Sequence, residues 1–281
     1  MEIVFQAILI GLLQGLTEFV PVSSSAHLAL APWIFGWDTN GLLGSLAFDV
    51  FLHLGTLVAL LAYFWHDWLR LFRAVLRGLR DWRFGADPDR RLGWLLILAT
   101  VPAAVIGFLG ERLVDEVLHG DSDAIRLAIA AFLVIGAVGL WLADRLGSRQ
   151  RELEQLTVPS ALTIGFSQAL ALLPGISRSG ATITSALALG LTREAAARFS
   201  FLLAMPITLG AGLYGSRQLM EESHTATEWF ALTAGFVAAA VAGLLAIRIM
   251  LAWLRRRSVT VFSVYRVALA LLIVGWLMLG R

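Results

Sequence analysis

The sequence predicts an all-α polytopic membrane protein: six transmembrane helices plus two re-entrant helical hairpins in an inverted repeat, one transmembrane domain over residues 1–281. Three observations carry this. Of the 281 residues, 58% are hydrophobic and 15% charged, with a mean hydropathy of +0.79, whereas a soluble domain carries about 25% charged residues. Apolar runs close to the ~20 residues that span a bilayer recur along the chain, as at 94–110 and 124–143. Two other apolar segments are each interrupted by a proline and a serine-rich knot. This composition disfavours a disordered chain and a water-soluble enzyme. With no cysteine, disulfides, iron–sulfur clusters and thiolate zinc sites are excluded. The 22 basic residues are all arginine, which excludes a lysine Schiff base. A net charge of +2 and a pI near 9.6 do not point to nucleic acid, because the arginines sit in short loops between apolar spans.

In chain order, the first hairpin covers 2–37 and is broken at Pro21 and Val22-Ser23-Ser24-Ser25-Ala26-His27. Its start lacks a basic region before the apolar run 3–13, so no cleavable signal peptide is expected. Spans follow at 42–65, 92–110 and 124–143. The second hairpin covers 158–190, broken at Pro174-Gly175 and Ser177-Arg178-Ser179-Gly180, and spans at 196–216, 229–253 and 260–279 complete the chain. Non-helical backbone survives at membrane depth only where it is buried in protein or lines a wet cavity, so each broken segment reads as two half-helices meeting at a polar break.

Sidedness follows from the loops. Loop 66–91 holds seven arginines, while 144–157 and 255–257 hold three each. The acidic stretches 111–123 and 217–228 hold one arginine each. The positive-inside bias puts the first group in the cytoplasm and the second outside, and both termini then fall outside. At an offset of 154 residues, Ile10-Gly11 matches Ile164-Gly165, Gln14 matches Gln168, Ser23 matches Ser177 and Ser25 matches Ser179. Three spans separate the copies, so the second lies inverted, and interrupted segments in two inverted halves point to a midplane binding site.

The chemistry-bearing residues cluster at the breaks. Gln14 and Glu18 share one face of the first half-helix. An ionised carboxylate at mid-bilayer costs roughly 2.5–3.5 kcal/mol on insertion scales, and a helix C-terminus disfavours it further. A divalent metal or Arg178 would relieve both; the plain alternative is a protonated glutamate in a helix interface. One of Ser23, Ser24 and Ser25 caps the next half-helix. Ser24 and His27, three apart, share a face, as a nucleophile and its base would, although a lone histidine there would ordinarily be a packing residue. Arg178, between Ser177 and Ser179 and a turn before Thr182, has a planar fork suited to phosphate oxygens. Two half-helix N-termini add free amides for an anion. The bland reading is an Arg178–Glu18 ion pair tying the hairpins together, and both can hold in turn.

Other polar residues are read more plainly. Asp49 and His53, four apart, line the cavity or pair with each other. Arg193, Glu194 and Arg198 form a charge network at a helix start. Tyr265 and Arg266, just inside the last span, snorkel. Trp65, Trp68, Trp82 and Trp94 are interfacial belt residues. No Walker A loop, metalloprotease histidine helix or Gly-x-Ser-x-Gly elbow is present.

At Gln14-Gly15-Leu16-Thr17-Glu18-Phe19-Val20-Pro21-Val22-Ser23-Ser24-Ser25-Ala26-His27, at Pro174-Gly175-Ile176-Ser177-Arg178-Ser179-Gly180-Ala181-Thr182 and through Arg198-Phe199-Ser200-Phe201-Leu202-Leu203, the sequence resembles the undecaprenyl-diphosphatase (bacitracin resistance) family of bacterial inner-membrane phosphatases. The resemblance covers essentially the whole chain. It implies a homodimer in the inner membrane, no nucleic-acid partner, and a site open to the periplasmic face. It implies hydrolysis of the terminal phosphate of a polyprenyl diphosphate lipid, dependent on a divalent cation (Mg²⁺ or Ca²⁺) and recycling the cell-wall lipid carrier. Carried over, Glu18 binds metal or acts as base, and Ser24 is the nucleophile with His27 as partner or rival. Arg178 holds the diphosphate, with Gln14, Ser23, Ser25, Ser177, Ser179 and Thr182 at the substrate. Gln14 stands at the family's first acidic position and cannot be a base, which shifts it toward metal or substrate contact. Ser25-Ala26 replaces a frequent Thr-Gly. The rival reading is a transporter or flippase of a polyprenyl phosphate lipid, which needs Arg178 but not a Ser24 hydroxyl. An anion channel would need a polar stripe along several spans, and none is visible.

Overall fold

A computed structural model describes residues 1–39, 41–85, 87–118, 122–221 and 224–279. The described residues form eleven α-helices: α1 Glu2–Glu18, α2 Ser24–Phe35, α3 Leu46–Tyr63, α4 Trp65–Asp81, α5 Pro88–Leu118, α6 Asp123–Leu146, α7 Val158–Ala169, α8 Arg178–Ala188, α9 Arg193–Glu221, α10 Ala226–Leu254 and α11 Thr260–Met278. Five stretches are long and apolar enough to cross a bilayer: Pro88–Gly110, Asp123–Leu146, Arg193–Leu213, Ala226–Leu254 and Thr260–Met278. A sixth is added if α3 and α4, bent by 81° at their junction, count as one broken span. At 12, 12 and 11 residues, α2, α7 and α8 fall short of the roughly 17 residues a span requires.

The local chemistry explains the helix ends. Ser45, Ser122 and Thr157 cap α3, α6 and α7 by accepting a backbone N–H, and Thr225 with Glu228 makes a capping box on α10. The prolines at 102 and 206 lie inside long helices, as a membrane interior tolerates where neighbouring groups satisfy the freed carbonyls.

One expectation is overturned. Within 66–91, read as an arginine-rich loop, residues 66–81 belong to the 17-residue helix α4, which starts at Trp65. Its arginines recur every three or four positions, so they fill one stripe, while Leu71, Ala74 and Gly78 on another face are buried. Arginine density there reflects an amphipathic helix.

Close helix crossings hold the broken segments in place. The α1 segment lies along α10, with Gly11 facing the Gly235 backbone and Gly15 facing Ala239. In the second half, α7 lies on α5, with Gly165 against the Ala99 backbone. Small residues let the backbones approach where lipid supplies no hydrophobic drive between helices. Beside the two breaks, Phe19 and Phe201 are fully buried and meet edge to face at 5.5 Å. The charge network at the start of α9 is present: Arg193 donates to Asp144 at 2.6 Å, Arg198 to Asp67 at 2.8 Å, and Arg255 to Glu194 at 2.8 Å.

Candidate active site

Both breaks are built the same way. Ser23 and Ser177 each sit at φ +73°, a left-handed conformation uncommon for a residue with a Cβ. Each caps the following helix, Ser23 Oγ accepting from the Ala26 amide at 3.4 Å and Ser177 Oγ from the Gly180 amide at 3.1 Å. Each hydroxyl also lies 3.2 Å from the serine two residues on, Ser25 or Ser179. The strained cap reverses the chain sharply, so α2 and α8 start directly at the breaks. Their first amides then lack intrahelical acceptors. Ser179 Oγ donates to Val20 O at 3.2 Å, joining one break to the other.

Glu18 is the hub. It is 8% exposed, and its two oxygens face different partners. Oε1 accepts from Arg178 Nη2 at 3.0 Å. Oε2 accepts from Ser24 Oγ at 2.7 Å and Gln14 Nε2 at 3.1 Å, with His53 Nε2 at 3.7 Å. Arg178 spreads its fork, Nη1 donating to Ser200 O at 3.1 Å. Residues from α1, α2, α3 and α8 thus converge on one carboxylate, supported by α9. The Arg178–Glu18 contact considered from sequence is present.

The expected Ser24–His27 pair is not. Ser24 donates to Glu18, and both ring nitrogens of His27 are occupied. Nδ1 lies 2.7 Å from Ser23 O; a carbonyl only accepts, so Nδ1 carries the proton. Nε2 is then the acceptor for Tyr265 O–H at 2.7 Å. Three-residue spacing places two Cβ atoms on one face, but the cap at Ser23 turns Ser24 back toward α1 while Tyr265 takes the imidazole.

The remaining expected contacts divide by access. Ser23, Ser177, Ser179 and Thr182 are buried and act as caps and ties. Thr182 Oγ1 bonds to Arg178 O at 2.9 Å and to Ser200 Oγ at 2.7 Å, locking α8 to α9. Ser24 and Arg178 are only partly buried and Ser25 is exposed, so these can meet a substrate without unfolding the knot.

Arg266 departs from its expected snorkelling. It is fully buried and wraps the second break, Nη2 donating to Gly175 O at 2.8 Å and Ile176 O at 2.9 Å, Nε to Leu133 O at 3.2 Å. A Cβ at Gly136 would overlap Nη2, and one at Gly180 would lie 2.8 Å from Nη1, so the two glycines make the room. Sequence reading gives His53 a cavity or pairing role and Tyr265 a snorkelling one, whereas the structure brings them to Glu18 and His27. What could have raised them is their chemistry at a depth where polar side chains mark function.

Among the described residues, no three His, Asp or Glu side chains converge as a metal cage. The donor set still fits a hard cation shared with a substrate. Gln14 Oε1 is buried with no hydrogen-bond partner, beside the Glu18 carboxylate. Mg²⁺ is ordinarily held by one or two carboxylates plus phosphate oxygens and water.

Fold and site together define a multi-pass helical membrane protein with a buried carboxylate that gathers a hydroxyl and a guanidinium, a centre suited to phosphate chemistry. Comparison with known proteins makes the class specific. The model of the bacitracin resistance protein BacA family matches residues 7–272, so the chain belongs to that family. It is 46% identical over 273 residues to an undecaprenyl-diphosphatase of Thermomicrobium roseum, covering 96% of each chain. It is 46% identical over 279 residues to one of Moorella thermoacetica, covering 99% of each, and 45% identical to one of Alcanivorax borkumensis, covering 97% of this chain and 98% of the other.

Proposed function

We propose that this protein is an undecaprenyl-diphosphate phosphatase, releasing the terminal phosphate of undecaprenyl diphosphate to leave undecaprenyl phosphate. The observation that carries this is Glu18 holding the Ser24 hydroxyl at 2.7 Å and the Arg178 guanidinium at 3.0 Å on its two oxygens. Ser24 Oγ attacks the terminal phosphorus as its proton passes to Glu18 Oε2, and the bond to the bridging oxygen breaks with the electron pair leaving on undecaprenyl phosphate. Water then attacks the phosphorus of the Ser24 phosphoester; the bond to Ser24 Oγ breaks as Glu18 returns its proton to that oxygen, and inorganic phosphate leaves carrying both hydrogens of the water. Arg178, released from Glu18 onto the diphosphate, and the free amides that open α2 and α8 offset the charge that develops on phosphate oxygens. A divalent cation, Mg²⁺ or Ca²⁺, would be held by Glu18 and Gln14 Oε1 and would neutralise the diphosphate. His27, fixed by Ser23 and Tyr265, holds the knot in shape.

Several features of the chain bear on its setting. The arginine excess at 66–91, 144–157 and 255–257 supports placing that side of the protein in the cytoplasm; the inner membrane and a site open to the periplasm follow from the family resemblance. The matching geometry of the two serine caps supports an inverted repeat of re-entrant hairpins. A homodimer follows only from the family resemblance. A serine hydroxyl placed on the carboxylate is something a transporter would not need.

The test is phosphate release from undecaprenyl diphosphate by the purified protein with Mg²⁺, with Ca²⁺ and with EDTA. Metal-dependent release is expected. No release under any metal, with lipid still bound, would overturn the proposal and favour transport.

A further inference from the structure

Helix α4 has three faces of distinct chemistry. Leu71, Ala74 and Gly78 pack inward, Gly78 lying beside Trp94 of α5. Leu69, Phe72, Leu76 and Leu79 form an exposed apolar row. Arg70, Arg73, Arg77 and Arg80 form a second exposed row, one residue on and therefore about 100° around the axis. Arg70 is paired with Asp67 at 2.9 Å and Asp89 at 3.1 Å. Arg73, Arg77 and Arg80 have no carboxylate partner among the described residues, although Asp81 is close in sequence, because Asp81 is held by Arg90 at 2.8 Å.

We propose that α4 lies in the membrane plane on the arginine-rich side and is a binding surface for anionic phospholipid, whose phosphates sit on Arg73, Arg77 and Arg80. Three observations meet here. The helix turns 81° away from α3, so if α3 crosses the bilayer α4 runs along it. Arginines along its whole length exclude a span, while an apolar row beside a cationic row is the pattern of an interfacial helix. Exposed Trp65 and Trp82 bound it, aromatic anchors at headgroup depth. The apolar row enters the acyl region, and the unpaired guanidinia reach phosphate oxygens by snorkelling. Zwitterionic lipid also offers phosphate but no net charge, so the preference is for anionic headgroups.

Because the chain contains no cysteine, single Leu76→Cys, Phe72→Cys and Arg77→Cys substitutions can each carry a spin label in the full-length protein, reconstituted into phosphatidylcholine vesicles containing phosphatidylglycerol. Labels at 72 and 76 are expected to relax more with oxygen than with a water-soluble nickel chelate, and the label at 77 to show the reverse. In a second measurement, native mass spectrometry follows detergent-purified protein titrated with phosphatidylglycerol or phosphatidylcholine. Phosphatidylglycerol should be retained more tightly, by about fivefold for each arginine engaged, and the Arg73→Gln/Arg77→Gln/Arg80→Gln variant should lose that preference. If the triple variant proves unstable, Arg77→Gln alone should lose about fivefold. Equal retention of the two lipids, an unchanged preference in the variants, or water exposure at both 72 and 76 would overturn the proposal. So would strong dipolar coupling between labels of two copies, which would mean that a second protomer covers this face.

Discussion

Replacing Arg178 by Met leaves Glu18 in a nearly enclosed site, 8% exposed, without its cation. Breaking a buried ion pair by removing one partner costs about 3–5 kcal/mol. Ser24 at 2.7 Å and Gln14 at 3.1 Å still donate to the carboxylate, so the expected loss is at the lower end, about 3 kcal/mol. The Arg178→Met/Glu18→Gln double variant carries no unpaired charge and should return to within about 1 kcal/mol of wild type, a large coupling for residues in direct contact. Activity should not return, since the base for Ser24 and the guanidinium for phosphate are both gone. Arg178→Lys keeps the charge but cannot span Glu18 Oε1 and Ser200 O together; it should stay folded and lose about 10²–10³ in kcat. Thermal or denaturant unfolding in one detergent, beside phosphate release from undecaprenyl diphosphate, reads both quantities. A fully stable Arg178→Met variant would refute the buried-charge argument. An active double variant would show the pair to be only a clamp between the two breaks.

Four further outcomes follow from the same geometry. Ser24→Ala should lower phosphate release by several orders of magnitude at a stability cost of about 1 kcal/mol, measured by the same two assays. Tyr265→Phe removes the donor to His27 Nε2 and should lower stability by about 1 kcal/mol with a modest loss of turnover; a rise in turnover would instead show that the freed nitrogen takes part in the reaction. Arg266→Met strips the buried carbonyls of Gly175 and Ile176 of their shared donor, each worth about 1–3 kcal/mol when unsatisfied, and should lower both the melting temperature and kcat. Gly165→Ala drives a Cβ into the Ala99 backbone and should destabilise by about 1–3 kcal/mol, seen as a lower melting temperature.

Much of the site was legible from local chemistry. A carboxylate and a guanidinium, each costly in a bilayer, sit at the two interruptions of an otherwise apolar pattern, and their mutual need predicts the Glu18–Arg178 contact across 160 positions. The serine caps were legible because a half-helix must start where the knot ends. How Ser24 and His27 are each partnered is not legible because helical spacing speaks to one helix, while their partners arrive from others: Glu18 from α1 and Tyr265 from α11. The helix α4 was missed for another reason. Its arginines were counted as loop charge, although Leu69, Phe72, Leu76 and Leu79 keep a helical period that sequence alone could have shown.

By itself the sequence determined the class of fold, the places where the chain breaks and the identities of the ionisable groups there. Burial in lipid restricts backbone to helices or closed barrels, continuous apolar runs near span length select helices, and an unpaired charge at depth demands a partner, so both conclusions follow from residue types and spacing. Only the tertiary structure decided which hydroxyl meets which acceptor. That choice depends on the φ of Ser23 and Ser177, on close crossings at Gly11, Gly15 and Gly165, and on the space Gly136 and Gly180 leave for Arg266. These are properties of backbones brought together from distant parts of the chain, and a hydrogen bond is won or lost over distances smaller than any sequence pattern resolves.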